Sequence, residues 1–123
     1  GTVSRMAQPY SDALVADGPL LFVSGQTPEG PEGEVAGDIA GQTRQIFANM
    51  EGVLARHGAD LGHLVKLTYY LRHISDLDEL YSALSACLPE THRPAASVVE
   101  VSALVDPAHL VEIDGIACLP ARR

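Results

Sequence analysis

The sequence predicts an α+β fold in which two helices cover one face of a single β-sheet. Two observations support this prediction. In two segments, apolar residues recur at three- and four-residue steps, as they do in amphipathic helices. The shorter apolar runs have the length and alternation of strands, and the segments follow one another in the order ββαβαββ.

Composition limits the function classes. The chain has 123 residues, of which 46% are hydrophobic, and this fits one domain over residues 1–123. The formal net charge of −8 argues against a nucleic-acid partner and against an anionic membrane surface. No apolar run is long enough to span a bilayer, and the start lacks the apolar core of a signal peptide. Cys87 and Cys118 form no CxxC motif and no metal-ligand spacing, so we expect reduced thiols, no metal and a cytoplasmic protein.

The first half of the chain predicts a hairpin, a loop and a helix. Residues 11–25 are expected to form two strands around Asp17-Gly18, because glycine accepts the positive φ of a tight turn. The Gly- and Pro-rich segment 26–37 predicts a loop. A helix capped by Asp38 is expected to follow and to end at a glycine. Its expected apolar stripe consists of Ile39, Thr43, Ile46, Phe47, Met50, Val53 and Leu54.

The second half predicts a strand, a helix and two further strands. Segment 64–72 alternates, so its side chains are expected to point to the two faces of the sheet in turn. A helix is expected to begin at Ser75, in a sequence that resembles a capping box, and to end before a proline. The last strands are expected at 97–101 and 111–118.

Two helices can cover only one face of this sheet, so the second face is expected to be partly apolar and uncovered. The residues predicted on it are Tyr70, Val98, Glu100, Glu112, Asp114 and Ile116. A half-apolar face usually packs against another protein surface. The sequence therefore predicts a homo-oligomer.

Three segments, taken in order, resemble the RidA/YjgF family of small trimeric proteins, also called endoribonuclease L-PSP-like. They read "PYSDALVADGPLLFVSGQTP", "GDIAGQTRQIFANMEGVLARHGADLGHLVKLTYYL" and "RPAASVVEVSALVDPAHLVEIDGIA". The resemblance implies a chorismate-mutase-like fold, in which three subunits pack their sheets into a barrel with ligand clefts between subunits. It also implies hydrolysis of reactive enamines and imines, such as 2-aminoacrylate, to 2-keto acids and ammonia, without a cofactor or metal.

One departure from the family concerns the group that holds the substrate. The family's deaminases have a Pro-Ala-Arg-Ser motif where this chain has Pro-Ala-Ala-Ser at 94–97. The arginine of that motif clamps the substrate carboxylate, because its planar guanidinium donates two parallel hydrogen bonds. Ala96 has no donor. Arg93 and Arg72 are candidates to replace it, and a solvated position is the alternative for both.

The resemblance assigns roles to other residues. Glu112 matches the family acid that positions the attacking water, which agrees with the need of hydrolysis for a base; a structural carboxylate inside the trimer is the alternative. Tyr10 matches a tyrosine that lines the cleft, or else it packs on the first strand. Ser24-Gly25-Gln26 matches an SGQ segment, in which Gly25 lets the backbone approach a ligand. This segment is otherwise simply a strand end leaving for a loop.

The second helix also departs from the family pattern. The deaminases carry an asparagine where this chain has Tyr81, and an aromatic residue where it has Leu84. A changed wall beside a changed anchor indicates a changed small-molecule ligand. Tyr81 is alternatively a core residue.

These features predict a divergent family member that hydrolyses an enamine or imine in interface clefts, with a substrate altered by Ala96. The alternative is a non-catalytic trimer that binds a small metabolite or has a regulatory role. RNA cleavage ranks third, since the chain is acidic and has no basic patch with interleaved aromatic residues.

Overall fold

A computed structural model describes residues 8–120. Within them the chain forms four strands, two α-helices and two short 3₁₀ turns. In chain order they are β1 (Leu20–Gln26), α1 (Ile39–Ala55), a turn (Leu61–His63), β2 (Leu64–Leu71), a turn (Ile74–Asp76), α2 (Leu77–Cys87), β3 (Ala95–Glu100) and β4 (Val111–Cys118). The α+β class with one sheet and two helices is confirmed. Neither α-helix is long and apolar enough to cross a membrane.

The sheet has the strand order β1-β4-β2-β3, so β1 and β3 are its edges. Strand β4 is antiparallel to both β1 and β2, whereas β3 runs parallel to β2. Both helices pack on one face, where side chains from both helices and from strands β1, β2 and β4 form one buried cluster. The opposite face, to which Phe22, Tyr70, Val99, Glu112 and Asp114 belong, is called the uncovered face below.

The predicted hairpin at residues 11–25 is not formed, and the first of its two strands is absent. Ser11 makes an isolated parallel bridge with Ala95, so it lies beside β3 at one edge of the sheet. Strand β1 is the opposite edge. The chain between them therefore crosses from one edge to the other, and Val15 is 97% exposed on the way.

Helix α1 follows the predicted pattern closely. Asp38 is its N-cap, and the Asp38 carboxylate accepts a hydrogen bond from the Gly41 N–H at 3.1 Å. Gly58 follows the helix with φ +70°, a left-handed conformation that suits glycine. The buried residues of the helix are Ile39, Gln42, Thr43, Ile46, Phe47, Met50 and Leu54. Only the burial of Gln42 and the partial exposure of Val53 differ from the predicted stripe.

Helix α2 begins differently from the prediction. Ser75 lies inside a 3₁₀ turn, the N-cap position falls on Asp76, and no side-chain cap is present there. The turn is instead held from β3, because the Glu100 carboxylate accepts the Ile74 N–H at 2.9 Å. The predicted capping box at Ser75 was therefore wrong, since a contact distant in sequence orders this helix start.

The strand register corrects part of the predicted uncovered face. Tyr70, Glu112, Asp114 and Ile116 alternate with buried neighbours and point away from the helices, as predicted. Two further predictions for this face, Val98 and Glu100, were wrong. Val98 is paired with Tyr69 and Glu100 with Leu71, so both lie on the helix side. On β3, Val99 belongs to the uncovered face and is 42% exposed.

Candidate functional site

A cavity of about 220 Å³ lies on the helix side of β2 and β3, next to the chain segment that precedes Ser11. We call it the tyrosine cavity, because three of its seven lining residues are tyrosines. The lining residues are Pro9, Tyr10, Tyr69, Tyr81, Leu84, Ala96 and Val98. Three residues that the sequence analysis assigned to the ligand site, Tyr10, Tyr81 and Ala96, thus lie together here.

Strand pairing and one short tether position the walls of this cavity. Ala96 and Val98 are alternate residues of β3 and are paired with Leu67 and Tyr69 of β2. Helix α2 supplies Tyr81 and Leu84. Tyr10 is held in place through its neighbour Ser11, whose N–H donates to the Pro94 carbonyl at 3.0 Å and whose hydroxyl donates to the Arg93 carbonyl.

Two of the lining tyrosines are in contact with each other. The ring centroids of Tyr10 and Tyr81 are 6.2 Å apart, with the planes tilted by 55°. The Gln8 side-chain amide donates to the Tyr10 hydroxyl at 3.2 Å. Burial, and secondarily the neighbouring Tyr10, raises the pKa of Tyr81. Tyr81 is therefore an uncharged phenol at neutral pH, able to donate one hydrogen bond.

Tyr69 is the residue that sequence reasoning missed. It is 1% exposed, and within residues 8–120 its hydroxyl has no hydrogen-bond partner. Burial raises the pKa of Tyr69 well above its usual value, the nearby Tyr81 and Cys87 add to the rise, and Arg93 opposes it. The alternation of β2 predicted this side chain to be inside. A phenol at a buried position was the available signal, since a buried hydroxyl normally has a partner.

Glu112 belongs to the opposite side of the sheet. It lies on β4, half-buried on the uncovered face, and it is paired with Tyr70 of β2. Its carboxylate lies against Gly25, where a Cβ atom would overlap Glu112 Oε2 and lie 2.9 Å from Glu112 Cδ. The β1–β4 register shifts between Val23 and Gln26, at this point of the sheet. Gly25 therefore makes room for the acid, a different use of glycine from the predicted approach to a ligand.

The other acid of β4 already has a partner. The Tyr70 hydroxyl donates to Asp114 Oδ2 at 2.7 Å, and this hydrogen bond is the main reason that the pKa of Tyr70 is raised. Asp114 is therefore engaged in holding β2 to β4.

Ser24 lies on the neighbouring edge strand β1 and is exposed. Its carbonyl accepts a hydrogen bond from the side-chain amide of Gln26 at 3.0 Å.

The two arginines considered as replacements for the missing anchor have different surroundings. Arg72 donates to the Val101 carbonyl at 2.7 Å and so fixes the chain that leaves β3. Arg93 is partly buried, donates to the Leu88 carbonyl at 3.3 Å, and is the arginine whose charge acts on Tyr69. Arg93 is thus the cation associated with the tyrosine cavity, although it does not line it.

The predicted site residues fall into two groups within one chain. Tyr10, Tyr81 and Ala96 line the cavity on the helix side, whereas Gly25 and Glu112 lie at the uncovered face. The sheet separates the two groups, so one copy of the chain does not place the acid in the cavity. In residues 8–120, no group of three or more His, Cys, Asp or Glu side chains is arranged to hold a metal ion.

Comparison with known proteins gives consistent matches along the chain. Residues 2–119 match the sequence profile of the family described as Endoribonuclease L-PSP. A RutC family protein of Pyrococcus horikoshii is 39% identical over 111 residues, which cover 89% of this chain and 86% of that protein. The 2-iminobutanoate/2-iminopropanoate deaminase of Escherichia coli is 33% identical over 103 residues, or 81% of this chain and 80% of the deaminase.

Solved structures agree with the sequence matches. The crystal structure of YyfB, a Rid family protein of Yersinia pestis, superposes with a TM-score of 0.80 at 27% identity and covers 96% of this chain and 92% of that chain. A YjgF family member from Mycobacterium tuberculosis gives a TM-score of 0.74 at 36% identity, with 84% and 81% of the two chains covered. The fold and the sequence therefore point to the same group of proteins.

Proposed function

This chain belongs to the endoribonuclease L-PSP family, which includes the RutC, YjgF and Rid proteins, and from that premise we propose that it hydrolyses an enamine or imine metabolite. The observation that carries the proposal is the tyrosine cavity, since three residues matched to the family's ligand site line one cavity. The deaminase of Escherichia coli, at 33% identity, supports the same reaction class. The reaction needs no cofactor or metal.

A complete site requires a second copy of the chain. Glu112 is the acid that matches the family's water-positioning residue, and the sheet separates it from the cavity of its own chain. The uncovered face carries exposed apolar side chains, including Phe22 at 71% and Leu20 at 51% exposure. Apolar surface of this kind favours association. We therefore propose a homotrimer in which Glu112 of one copy faces the tyrosine cavity of the next.

The chemistry is a hydrolysis in two steps. Glu112 accepts a proton from a water molecule as the water oxygen bonds to the imine carbon, and it then gives this proton to the nitrogen, which leaves a carbinolamine. Glu112 next takes the proton of the carbinolamine hydroxyl and passes it to the amino group, so that the C=O bond forms as the C–N bond breaks and ammonia leaves. Tyr10 and Tyr81 orient the substrate from the cavity wall, while Ser24 and Gly25 lie on the side of the acid.

The substrate is expected to differ from the amino-acid imines of the family's deaminases. Ala96 has no donor for a carboxylate, and the residues that line the cavity carry no charge. A carboxylate transferred from water to such a place without a partner cation is strongly disfavoured. The substrate then lacks an α-carboxylate, unless Arg93 reaches it.

The experiment compares two families of imines made in situ. An amine oxidase supplies imines without a carboxylate, and an amino-acid oxidase supplies their carboxylated counterparts. The initial rate of semicarbazone formation reports the imine that survives. We expect the protein to lower this rate, and Glu112→Gln to reduce the acceleration by about 10²- to 10⁴-fold.

Asp114→Asn is the matched control, because Asp114 is an acid on the same strand and the same face as Glu112 but already accepts a hydrogen bond from Tyr70. If Glu112→Gln retains full activity, the assigned role of the acid is wrong. If the wild-type protein leaves every imine unchanged, the proposal fails. The second candidate, a non-catalytic metabolite-binding trimer, is favoured by the missing cation at Ala96 and would then replace it.

A further inference from the structure

Two side-chain amides of helix α1 hold the chain segments that carry Gly25 and Glu112. They belong to Gln42 and Asn49, which are seven residues apart and so lie on one face of the helix, about two turns from each other. The proposed reaction needs Glu112 at a fixed place, and its carboxylate lies against Gly25. The contacts that fix Gly25 therefore bear on the position of the acid.

Strand pairing alone does not fix Gly25. The β1–β4 register pairs Val23 with Gly115 and Gln26 with Ile113, and Gly25 lies in the irregular stretch between these pairs. An irregularity of this kind disrupts the ladder locally and bends the strand. The backbone at Gly25 is therefore positioned by contacts outside the ladder.

Asn49 supplies such a contact, because it connects the chain that leaves β1 to the helix. The Asn49 side-chain Nδ2 donates to the Thr27 carbonyl at 3.0 Å and to the Glu29 carbonyl at 2.9 Å. The Asn49 Oδ1 accepts a hydrogen bond from the Gln45 side-chain amide at 2.9 Å. Both hydrogens of the Asn49 amide are thus used, and its oxygen is held by the helix itself. Thr27 is only two residues after Gly25.

A cleft of about 480 Å³ lies between this segment and α1. Gly25 and Thr27 line one side of the cleft, and Asn49 belongs to the other. Apolar packing therefore does not fill the space between Gly25 and the helix. The two hydrogen bonds of Asn49, together with the buried Pro28 between their acceptor residues, set the distance of the segment from the helix.

Gln42 holds the strand of the acid from the same helix. The Gln42 side chain is buried, its Oε1 accepts the Leu110 N–H at 2.7 Å, and its Nε2 donates to the Ala108 carbonyl at 2.9 Å. Leu110 directly precedes β4 and is two residues before Glu112. Helix α1 is therefore a common support for both partners of the contact between the glycine and the acid.

We propose that Asn49 is a positioning residue for Glu112, which acts through Thr27 and Gly25 and does not touch the substrate. Its two hydrogen bonds keep Gly25 against the Glu112 carboxylate, while Gln42 holds β4 in place. The catalytic part of this inference rests on the proposed function, in which Glu112 is the base.

The kinetic test is Asn49→Leu, which removes both donors and keeps a side chain of similar size. Asn49 is only partly buried, so the variant is expected to fold, and a thermal unfolding curve checks this. We expect kcat for imine hydrolysis to fall by up to about a hundredfold, the effect of a displacement of about 1 Å in a reacting group. KM should change by less than about threefold, because an acid that acts only in the reaction steps adds little to ground-state binding.

A second readout needs no turnover. A Cβ atom at Gly25 would lie 3.3 Å from Glu112 Cγ, so the Gly25 Hα and Glu112 Hγ protons are close enough to give a nuclear Overhauser effect (NOE). We expect Asn49→Leu to reduce this NOE at least about twofold, since a displacement of about 1 Å separates the two groups.

Two further variants distinguish positioning from general stability. Leu54→Ala is the matched control, because it truncates a fully buried side chain of the same helix and lowers stability by about 2–5 kcal/mol. It should leave both kcat and the NOE close to the wild-type values. Asn49→Gln keeps the amide, and the cleft has room for its longer side chain, so it is expected to recover most of both signals.

Several outcomes overturn the inference. An unchanged NOE in Asn49→Leu would show that Asn49 does not set the contact, and so would equal losses in Leu54→Ala. A higher KM at unchanged kcat would make Asn49 a residue for binding. The result is separable from the proposed function, because a wild-type protein that leaves every imine unchanged contradicts the catalytic proposal, whereas the NOE still decides whether Asn49 positions Glu112.

Discussion

The two faces of the sheet differ in how completely the chain covers them. On the helix side, Leu67, Leu71 and Ile113 are fully buried by α1 and α2. On the uncovered face, Phe22 is 71% exposed and Val99 is 42% exposed, beside the half-buried Glu112. One face is completed by the chain itself, and the other has the apolar surface and the acid that a second copy would use. The comparison teaches that packing within one chain completes the helix side, whereas the proposed site needs residues from both sides of the sheet.

The largest expected effect is the loss of assembly when the uncovered face is made polar. In Phe22→Asp, a charge replaces an exposed apolar ring, and burying that charge against another copy is unfavourable. We expect the mass in solution to fall from a multiple of 13.0 kDa to that of a single chain. Sedimentation equilibrium measures the change.

Val15→Asp is the control for this variant, since Val15 is 97% exposed and lies outside the sheet. Its mass should equal that of the wild-type protein. An unchanged assembly in Phe22→Asp would mean that the uncovered face is not the contact surface.

A core substitution tests the covered face. Leu67→Ala removes a fully buried side chain of β2, and truncations of this kind lower the free energy of unfolding by about 2–5 kcal/mol. Urea unfolding monitored by circular dichroism measures the loss. Val105→Ala, at a residue 82% exposed, should change the stability by less than about 0.5 kcal/mol. Similar losses in the two variants would contradict the described core.

A glycine substitution tests whether the reaction depends on the position of Glu112 on the uncovered face. In Gly25→Ala, the new methyl group overlaps the Glu112 carboxylate and displaces it. A displacement of about 1 Å in a reacting group lowers turnover by up to about a hundredfold. The imine assay measures this loss. Gly37→Ala has open space around the new methyl group and should retain full activity. Equal losses of activity in the two variants would contradict the claim that Gly25→Ala acts by displacing Glu112.

The smallest expected effect is a loss of stability at alkaline pH, caused by ionisation of Tyr69 on the covered face. Burial raises the folded-state pKa of Tyr69 above the usual tyrosine value of about 10, so Tyr69 binds its proton more tightly in the folded chain than in the unfolded chain. Its contribution to stability is complete below about pH 10 and is lost as the pH rises further.

We therefore expect unfolding free energy to fall above about pH 10, with Tyr69 contributing a slope of up to about 1.4 kcal/mol per pH unit. Urea unfolding at several pH values measures the slope. Tyr69→Phe should flatten it, and Tyr70→Phe should flatten it less, because Tyr70 is far more exposed. Equal slopes in the wild type and Tyr69→Phe would contradict the role of this phenol.

Much of the architecture was predictable because it depends on local spacing. The stripe of α1, its Asp38 cap and its end near Gly58 all follow from residues within one or two helical turns of each other. The alternation in β2 and β4 likewise placed Tyr70 and Glu112 on a common face. These predictions needed no knowledge of which strand lies beside which.

The incorrect predictions share a cause, since each depended on a partner distant in sequence. The segment that starts at Ser11 reads as half of a hairpin, yet it is placed beside β3 by the Pro94 carbonyl. Val98 and Glu100 reverse their expected faces because the register of β3 on β2 is set by pairing across some thirty residues. The start of α2 is fixed by Glu100 rather than by Ser75.

By itself, the sequence determined the α+β class, the helix stripes, the family resemblance and the absence of an arginine at position 96. Only the tertiary structure decided that Tyr69 meets Tyr10 and Tyr81 around one cavity, and that Glu112 lies on the far side of the sheet. The physical reason is that side-chain period is a local property of the backbone, whereas strand order and register result from long-range packing. A cavity belongs to the second kind, because its walls come from segments that meet only in the folded chain.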